Sequence, residues 1–517
     1  MTFWFPDVTA MKFSFRFLFP FLAALGLAVP PLARAADAPA VPPAAVPNVP
    51  PANPAPALPP LTLADCIARA LDKNFDLQIQ GYTKQSARDA VVIADAAYDP
   101  TLTATAAADA SRAAALGAVI PNSEANGQNA SAAVGQKLAN GAMVSAGTNL
   151  GRGGADNSFN PPYNGGLTLT VSQPLLQGNG VAVNRAAQDR ARLGVRLANT
   201  NFKTTVLTVV RSVESAYYNL YFAREQLAVQ QFALTTAELL EAENRDRRAI
   251  GVAIDLDVVS AEVGVANARL AVVTATQTVH NNEDTLLALI SRFAFDTPIG
   301  PVQLGDEPVP EVSFAQSYAL ARANQPSLLA AQVTLDQLRL DVLTADDARQ
   351  PDLNLGASVN LNSSEDSGFN AVDQELSGRG YNWQLGLNLT LPWGMRAQNA
   401  RYRQALATFN SQQTTVEQLD QNLLTQVRTA VRAVETGKES VAIATLASKL
   451  AAEQFDQQKA QYDAGLATFR QVEDAQADLN TAQIAELQAR VTLRQALADL
   501  AQLESTSLDR YKIKLEE

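Results

Sequence analysis

The stretch WQLGLNLTLPW, residues 383–393, alternates apolar and polar side chains without interruption. On an extended chain Trp383, Leu385, Leu387, Leu389 and Leu391 share one face, and Gln384, Gly386, Asn388 and Thr390 share the other. A half-buried strand of a soluble sandwich alternates too, so the rest of the chain has to decide. From Trp383 to Pro392 is ten residues, within the roughly 9–11 that a tilted strand needs to cross a bilayer. Leucines on one side with Gln, Asn and Thr on the other suit the wall of a water-filled barrel in lipid. Tyr381, Trp383 and Trp393 stand where such walls carry their interfacial aromatics.

The pattern recurs in LTLTVSQPL, residues 167–175, where Leu167, Leu169 and Val171 oppose Thr168, Thr170 and Ser172. Partner strands are expected in PTLTATAAA from Pro100 and PDLNLGASVNL from Pro351. Residues 129–151, NASAAVGQKLANGAMVSAGTNLG, read as two short strands around Asn140-Gly141, a dipeptide favoured in tight hairpin turns. That segment is either a further membrane hairpin or an ordered surface loop, so each chain supplies four to six strands.

The chain is written twice. LTLADCIARALDKNFDLQIQ (61–80) matches VSFAQSYALARANQPSLLAA (312–331), and Asp99-Pro100 falls on Gln350-Pro351 at the same offset. LTLTVSQPL matches LGLNLTLPW (385–393), and GVAIDLDVVSAEVGVANAR (251–269) matches GLATFRQVEDAQADLNTAQ (465–483). Collinear matches this far apart define two large structural repeats rather than a solenoid. The first repeat spans 61–296 and the second 312–505. A Pro- and Gly-rich linker, 297–311, joins them, and 506–517 form a tail.

Within each repeat a seven-residue apolar period runs for many turns. Val206, Val213, Leu220, Leu227 and Leu234 carry it before Gly251; Val258, Val265, Val272, Val279 and Leu286 carry it after. In the second repeat Val427, Val434, Val441, Ser448, Phe455 and Tyr462 lead to Gly465, and Val472, Leu479, Leu493 and Leu500 follow. A sustained heptad demands left-handed supercoiled helices packed knobs-into-holes. If residues 180–246 form one helix, it is about 100 Å long at 1.5 Å per residue. A coiled-coil stalk uses that length; a compact soluble domain does not.

Composition narrows the classes further. The 517-residue chain has one Cys, one His and a net charge of −12. Cys66 alone makes no intramolecular disulfide or thiolate cluster, and His280 alone builds no multi-histidine metal site, so no metal or cofactor is expected. His280 reads as a polar residue on a helix face. The Walker A phosphate-loop pattern, HExxH and GxSxG are all absent, which argues against an enzyme. The acidic balance argues against a nucleic-acid partner.

From Met11 the chain reads MKFSFRFLFPFLAALGLAVPPLARA: a basic start, an apolar core from Phe17 to Val29, and Ala33-Arg34-Ala35 as a cleavage site. Residues 1–35 are therefore expected to be an extension plus secretory signal peptide. Cleavage near Ala36 leaves no lipid-anchoring cysteine. Residues 36–60 hold 10 prolines in 25 positions, which predicts an extended tether. No later run reaches 18 consecutive apolar residues, so any membrane crossing falls to strands.

Bilayer-length strands joined to very long heptad helices, in two tandem copies after a signal peptide, resemble the TolC family of outer-membrane efflux channels. The local marks are LTLADCIARAL (61–71), SQPLLQGNGVAVNRA (172–186) and YDAGLATFRQVEDAQADLNTAQ (462–483), and the match covers essentially all of 61–505. The resemblance implies an α+β membrane protein: an outer-membrane β-barrel shared by a homotrimer, standing on a long periplasmic α-helical coiled-coil tunnel. It implies a passive exit duct of an efflux or type I secretion system, served by a periplasmic adaptor (membrane fusion) protein and an inner-membrane pump. A trimer is also what closure demands, because four to six strands cannot enclose an aqueous lumen and lipid tolerates no open sheet edge.

The resemblance also places a gate at the helix tips. The matching positions are Asp257, six residues after Gly251; Tyr462, three before Gly465; and Asp474, nine after it. Under threefold symmetry each aspartate makes a ring of three carboxylates, a cation-attracting constriction. The alternative for each is a solvated acid in a first helical turn. Where some members carry an arginine two residues after the second glycine, this chain has Ala467, so a lock built on that arginine is absent. The turns Gly251-Val252 and Gly465-Leu466, with Thr468, resemble adaptor-docking turns. A periplasmic coiled-coil adaptor or scaffold is the competing class; it shares the paired helices but not the aromatic-ended strands.

Overall fold

The computed structural model describes residues 60–113, 123–155, 163–251, 254–291, 299–305, 308–377 and 380–514. The expected signal peptide, nearly all of the proline-rich tether, residues 297–298 and 306–307 of the linker, and Val252 lie outside the described residues.

Each repeat opens with two short helices. In the first, α1 (Leu63–Lys73) is capped by Thr62, whose hydroxyl accepts from Asp65 N, and α2 (Phe75–Asp95) by Asn74, whose Oδ1 accepts from Asp76 N at 2.9 Å. Such caps satisfy amides that a helix start leaves unpaired. In the second repeat α6 (Phe314–Asn324) and α7 (Pro326–Asp347) take these places, and Pro326 opens α7 where its missing N–H costs nothing.

Four strands follow in the first repeat, β1 (Thr101–Ala113), β2 (Ser123–Lys137), β3 (Met143–Ala155) and β4 (Tyr163–Pro174). The second repeat has two, β5 (Asp352–Glu365) and β6 (Tyr381–Thr390), with the short helix α8 (Gly368–Ser377) between them. All six form one antiparallel sheet in chain order, β4 pairing β5 across the repeats. The sheet has six strands among the described residues, and β2 and β3 are long where short strands were expected. Their turn holds Gly141 at φ +92°, a left-handed conformation that suits glycine.

Register gives the sheet two faces across all six strands. Leu102, Val134, Ala146, Leu169, Val359 and Trp383 stand in one row across all six strands. The adjacent row is Thr101, Gly135, Ser145, Thr170, Ser358 and Gln384. Because side chains alternate with period two, one such pair of rows fixes the two faces of the whole sheet.

The long helices carry the rest. In the first repeat α3 (Val181–Asn184) and α4 (Ala186–Ala249) run to the turn at Gly251, and α5 (Asp255–Ile290) returns. In the second, α9 (Arg396–Asp463) runs to Gly465 and α10 (Phe469–Glu504) returns. The 64 and 68 residues of α4 and α9 give lengths near 100 Å at 1.5 Å per residue. On α9 the heptad is a buried seam: Val427, Val434, Ser448, Phe455 and Tyr462 are all buried and Val441 is partly so. On α4 the expected heptad holds through Leu220, but Leu227 and Leu234 are only half-buried, and Ala233 and Leu240 take over. The physical reason is a change of neighbours. Around Val206–Ala223 α4 lies in a cluster that includes α1, the end of α5 and the C-terminal Leu508, whereas near its tip Leu240 packs with α9 and α10.

At mid-height the first repeat is closed by a parallel bridge between Leu61 and Val302, and the Tyr217 hydroxyl reaches the Leu61 and Gln303 carbonyls at 3.1 and 2.8 Å. The C-terminal turn α11 (Ser507–Arg510) and Tyr511 dock on α4 beside it. Cys66 is fully buried in this cluster, and His280 lies exposed on α5 beside Glu283 at 3.3 Å.

Candidate functional site

Two places carry unusual chemistry: the two-faced sheet and the far tip of the long helices. In the single chain the sheet leaves its apolar residues in the open. Trp383, Leu385, Leu387 and Leu389 are each at least 61% exposed, Tyr381 69% and Trp393 99%. Six strand and junction side chains of that kind cannot face water without cost, at about 25 cal/mol for each Å² of apolar surface. The aromatic Tyr163 at the outer end of β4 carries the Arg152 guanidinium 5.5 Å from its ring centre, a pairing of a polar head with an apolar body.

At the tip, each helix pair reverses through a glycine. Gly251 (φ +78°) and Gly465 (φ +74°) occupy the left-handed region just past the helix ends. The Gly465 amide donates to the Tyr462 carbonyl at 3.0 Å and the Leu466 amide to Gln461 at 2.8 Å, the paired bonds of a Schellman ending. Gly251 makes the equivalent first bond, to Arg248 at 2.9 Å. Thr468 then opens α10 in a capping box with Gln471. Ile254 opens α5 with half of one: the Asp257 carboxylate accepts from Ile254 N at 3.3 Å, but isoleucine has no side-chain acceptor to return the bond.

The expected gate residues are thus placed unequally. Tyr462 is buried, its hydroxyl donating to Asn244 Oδ1 at 2.6 Å and its ring lying 6.3 Å from Phe469. Asn244, itself fully buried, spends its amide on the Leu240 carbonyl. Asp257 is half-buried and close enough to raise the Tyr462 phenol electrostatically, although burial is the larger cause of that rise. Asp474 is exposed, and its carboxylate has no hydrogen-bond or ion-pair partner among the described residues. Leu466 is 80% exposed at the apex, and Ala467 tucks against the buried cluster of Tyr462 and Phe469.

Sequence reasoning missed the residue that ties this tip together. Arg247 on α4 lies 4.0 Å over the Tyr462 ring, donates to the Tyr462 carbonyl at 3.0 Å and pairs with Asp463 at 3.2 Å. It therefore joins the first repeat's outgoing helix to the second's. Arg248 pairs with Asp255 across the first turn, and Arg245 reaches Glu241 and Glu262. The signal was faint: a basic pair, Arg247-Arg248, at the C-terminal end of a helix is what the helix dipole favours anyway.

The comparisons agree with this architecture. The family model described as "Outer membrane efflux protein" matches residues 66–292 and 317–504, one segment in each repeat, and the chain belongs to that family. It is a family of channel proteins, the TolC-type channels that the sequence resembles. Among curated relatives, the pyoverdine export outer membrane protein OpmQ of Pseudomonas aeruginosa is 25% identical over 360 residues, covering 67% of this chain and 70% of the relative. Among solved structures, the Campylobacter jejuni CmeC outer membrane channel superimposes with a TM-score of 0.66 at 15% identity, covering 88% of this chain and 90% of that one. The open state of the Neisseria gonorrhoeae MtrE outer membrane channel does so with a TM-score of 0.62 at 21% identity, covering 86% and 88%.

Proposed function

We propose that this chain is the outer-membrane exit duct of an efflux or type I secretion system, a passive conduit formed by three copies. The observation that carries the reading is the sheet: an apolar face exposed on every strand, backed by a polar face, mounted on helices near 100 Å long. Lipid would cover the first face and water the second. Closure of the sheets of three copies into one barrel would remove the unpaired edges that hydrocarbon does not tolerate. The helices support the same assembly. Val259, Val263, Leu270 and Val273 on α5, and Ile443, Leu446 and Leu450 on α9, are all more than half exposed in one chain. By length and composition α5 is apolar enough to cross a membrane, but it packs against α4 as its antiparallel partner. Its open stripe is the kind that a neighbouring copy covers in a tunnel wall.

The tip would be the gate. Tyr462, Arg247, Asn244 and Asp463 hold the two helix pairs of one copy together, in a chain where Ala467 supplies no basic group. Opening would separate those pairs, so the Arg247–Tyr462 contact would be the closed-state lock, and Asp257 and Asp474 would line the constriction as carboxylate rings. The apices around Gly251 and Gly465, with exposed Leu466 and the Thr468 cap, would meet a periplasmic adaptor that links the channel to an inner-membrane pump. The signal peptide would export the chain to the outer membrane, and the helices would extend into the periplasm.

Reconstitution of purified protein into planar bilayers, with its mass measured in detergent, tests this reading. A trimer with discrete conductance steps is expected. A monomer that stays in the aqueous phase, or a trimer that never conducts, would overturn it.

A further inference from the structure

The first repeat holds a hairpin that the second does not. Between β1 and β4 lie β2 and β3, whereas β5 and β6 follow one another with only α8 between them. We propose that this hairpin is part of the pore wall, so that β1 of one copy pairs with β6 of the next and the membrane barrel is a closed ring of eighteen strands. The proposal rests on the trimeric reading above.

Three observations carry it. First, the hairpin has the same two faces as its neighbours and the same register: Val134 and Ala146 continue the apolar row, Gly135 and Ser145 the polar one. The apolar face runs through Ala130, Ala132 and Val134 of β2 and Val144 and Ala146 of β3, the part of the hairpin nearest its turn, and gives way to Gln128, Asn126, Glu124 and Arg152 toward the outer end. A surface loop has no reason to keep that alternation in register with its neighbours. Second, its turn is built into the base of the sheet. A Cβ on Gly141 would stand 2.4 Å from the Gly178 carbonyl, Asn140 donates to Gln173 at 3.0 Å, and Gly180 donates to the Asn140 carbonyl at 3.3 Å. Gly178 in turn donates to Asp347 at 2.8 Å, so the turn sits where strands of both repeats pass into helices. Third, the free edges fit one another. β1 and β6 each pair on one side only, and β6 is exposed along its whole length. An even number of strands makes them antiparallel neighbours in a closed ring. The small Ala104, Ala106 and Ala108 of β1 share the apolar face with the large Trp383, Leu385 and Leu387 of β6.

Size gives the consequence. Eighteen strands spaced about 4.8 Å apart and tilted about 40° make a ring roughly 36 Å across. Twelve helices, four from each copy, packed about 9–10 Å apart make a tunnel ring of much the same width, also roughly 36 Å. Without the hairpin the strand ring would shrink to roughly 24 Å by the same arithmetic. The pore this chain forms is therefore as wide in the membrane as in the tunnel. Its inner rows hold uncharged Thr, Ser, Asn and Gln over most of their length. It suits bulky hydrated cargo, admitted by size rather than by charge.

Single cysteines in the full-length protein test this. Native Cys66 is buried, with its thiol pushed up to about 12 by desolvation, and stays silent. With a charged, membrane-impermeant maleimide on outer-membrane vesicles, Ser131→Cys and Ser145→Cys should react on the order of tenfold faster than Ala132→Cys and Ala146→Cys, because only the former face water. Equal reactivity on both faces would place the hairpin outside the wall and overturn the proposal. Edge pairing is read by oxidising double variants. Thr103→Cys combined in turn with Gln384→Cys, Gly386→Cys and Asn388→Cys should give disulfide-linked oligomers in at least one case. If Thr103→Cys links instead to Thr168→Cys or Thr170→Cys within one chain, β1 lies beside β4, the hairpin is expelled and the ring has twelve strands. Failure of the trimer itself would show separately, as a monomeric mass in detergent with the face-dependent labelling unchanged.

Discussion

The apolar face of the sheet and the apolar seam of α9 are built from the same residue types but meet opposite fates in one chain. Val427, Val434, Phe455 and Tyr462 are buried by other parts of the same molecule, while Leu385, Leu387 and Leu389 are buried by nothing. The difference lies in periodicity. A heptad seam finds its complement on a neighbouring helix of the same chain, whereas a sheet one residue thick leaves one whole face without a partner. The apolar face therefore needs another solvent, and the family to which the chain belongs works in one.

The contrast is broken most severely by charge on the sheet. Leu387→Arg or Leu355→Arg should cost roughly 2–4 kcal/mol at mid-bilayer and abolish insertion, measured as loss of heat-resistant oligomer from the outer membrane. Asn388→Arg, on the opposite face, should assemble normally. Equal damage from both would mean that the sheet has no lipid side.

The helical seam is sharpened by cavities rather than charges. Leu220→Ala, at a fully buried position, should destabilise the fold by about 2–5 kcal/mol, whereas Leu450→Ala on the open stripe of α9 should leave a single folded chain unaffected and weaken only assembly. Thermal melting and detergent-phase mass together separate the two effects.

A smaller effect is expected at the tip. Arg247→Ala removes a cation over the Tyr462 ring, a backbone hydrogen bond and a pair with Asp463. Bonds of charged groups contribute about 1.5–3 kcal/mol each, so open probability in bilayers should rise by an order of magnitude or so. Arg247→Lys should recover little of this, because an ammonium cannot stack as the planar guanidinium does. Unchanged open probability in Arg247→Ala would remove the contact from the gate. Asp257→Asn with Asp474→Asn should relieve divalent-cation block from the periplasmic side and reduce cation preference. If block and selectivity persist, both acids act only at helix starts, a role that the Asp257–Ile254 hydrogen bond already shows for one of them.

The smallest prediction concerns Glu214, fully buried at mid-height with its Oε1 accepting from the Tyr511 hydroxyl at 2.7 Å and its Oε2 unpartnered. Burial raises its carboxyl above the ordinary 4.5, against the opposing pull of Tyr511, Arg510 and Arg211. A raised folded-state value means that the folded chain holds the proton more tightly than the unfolded chain. This contribution is complete below about pH 4.5 and is lost as pH rises through the folded value. Glu214→Gln should therefore melt higher than the wild type at pH 8, with the gap closing toward pH 4. A gap that does not change with pH would assign the effect to packing.

The sequence by itself determined the architecture because its signals are periodic and local. Alternation of period two in 383–393 and 167–175, heptads across hundreds of residues, and glycines at 251 and 465 each name an element without help from distant residues. Duplication then supplied the order of elements. Tertiary structure alone decided three things. It turned residues 129–151 into full strands, because their register is set by β1 and β4 on either side rather than by their own small side chains. It moved the buried face of α4 beyond Leu220, because the neighbours of that helix change along its length. It also brought Arg247 to Tyr462, two residues 215 positions apart, whose meeting depends on how the two repeats pack and leaves no periodic mark in either one.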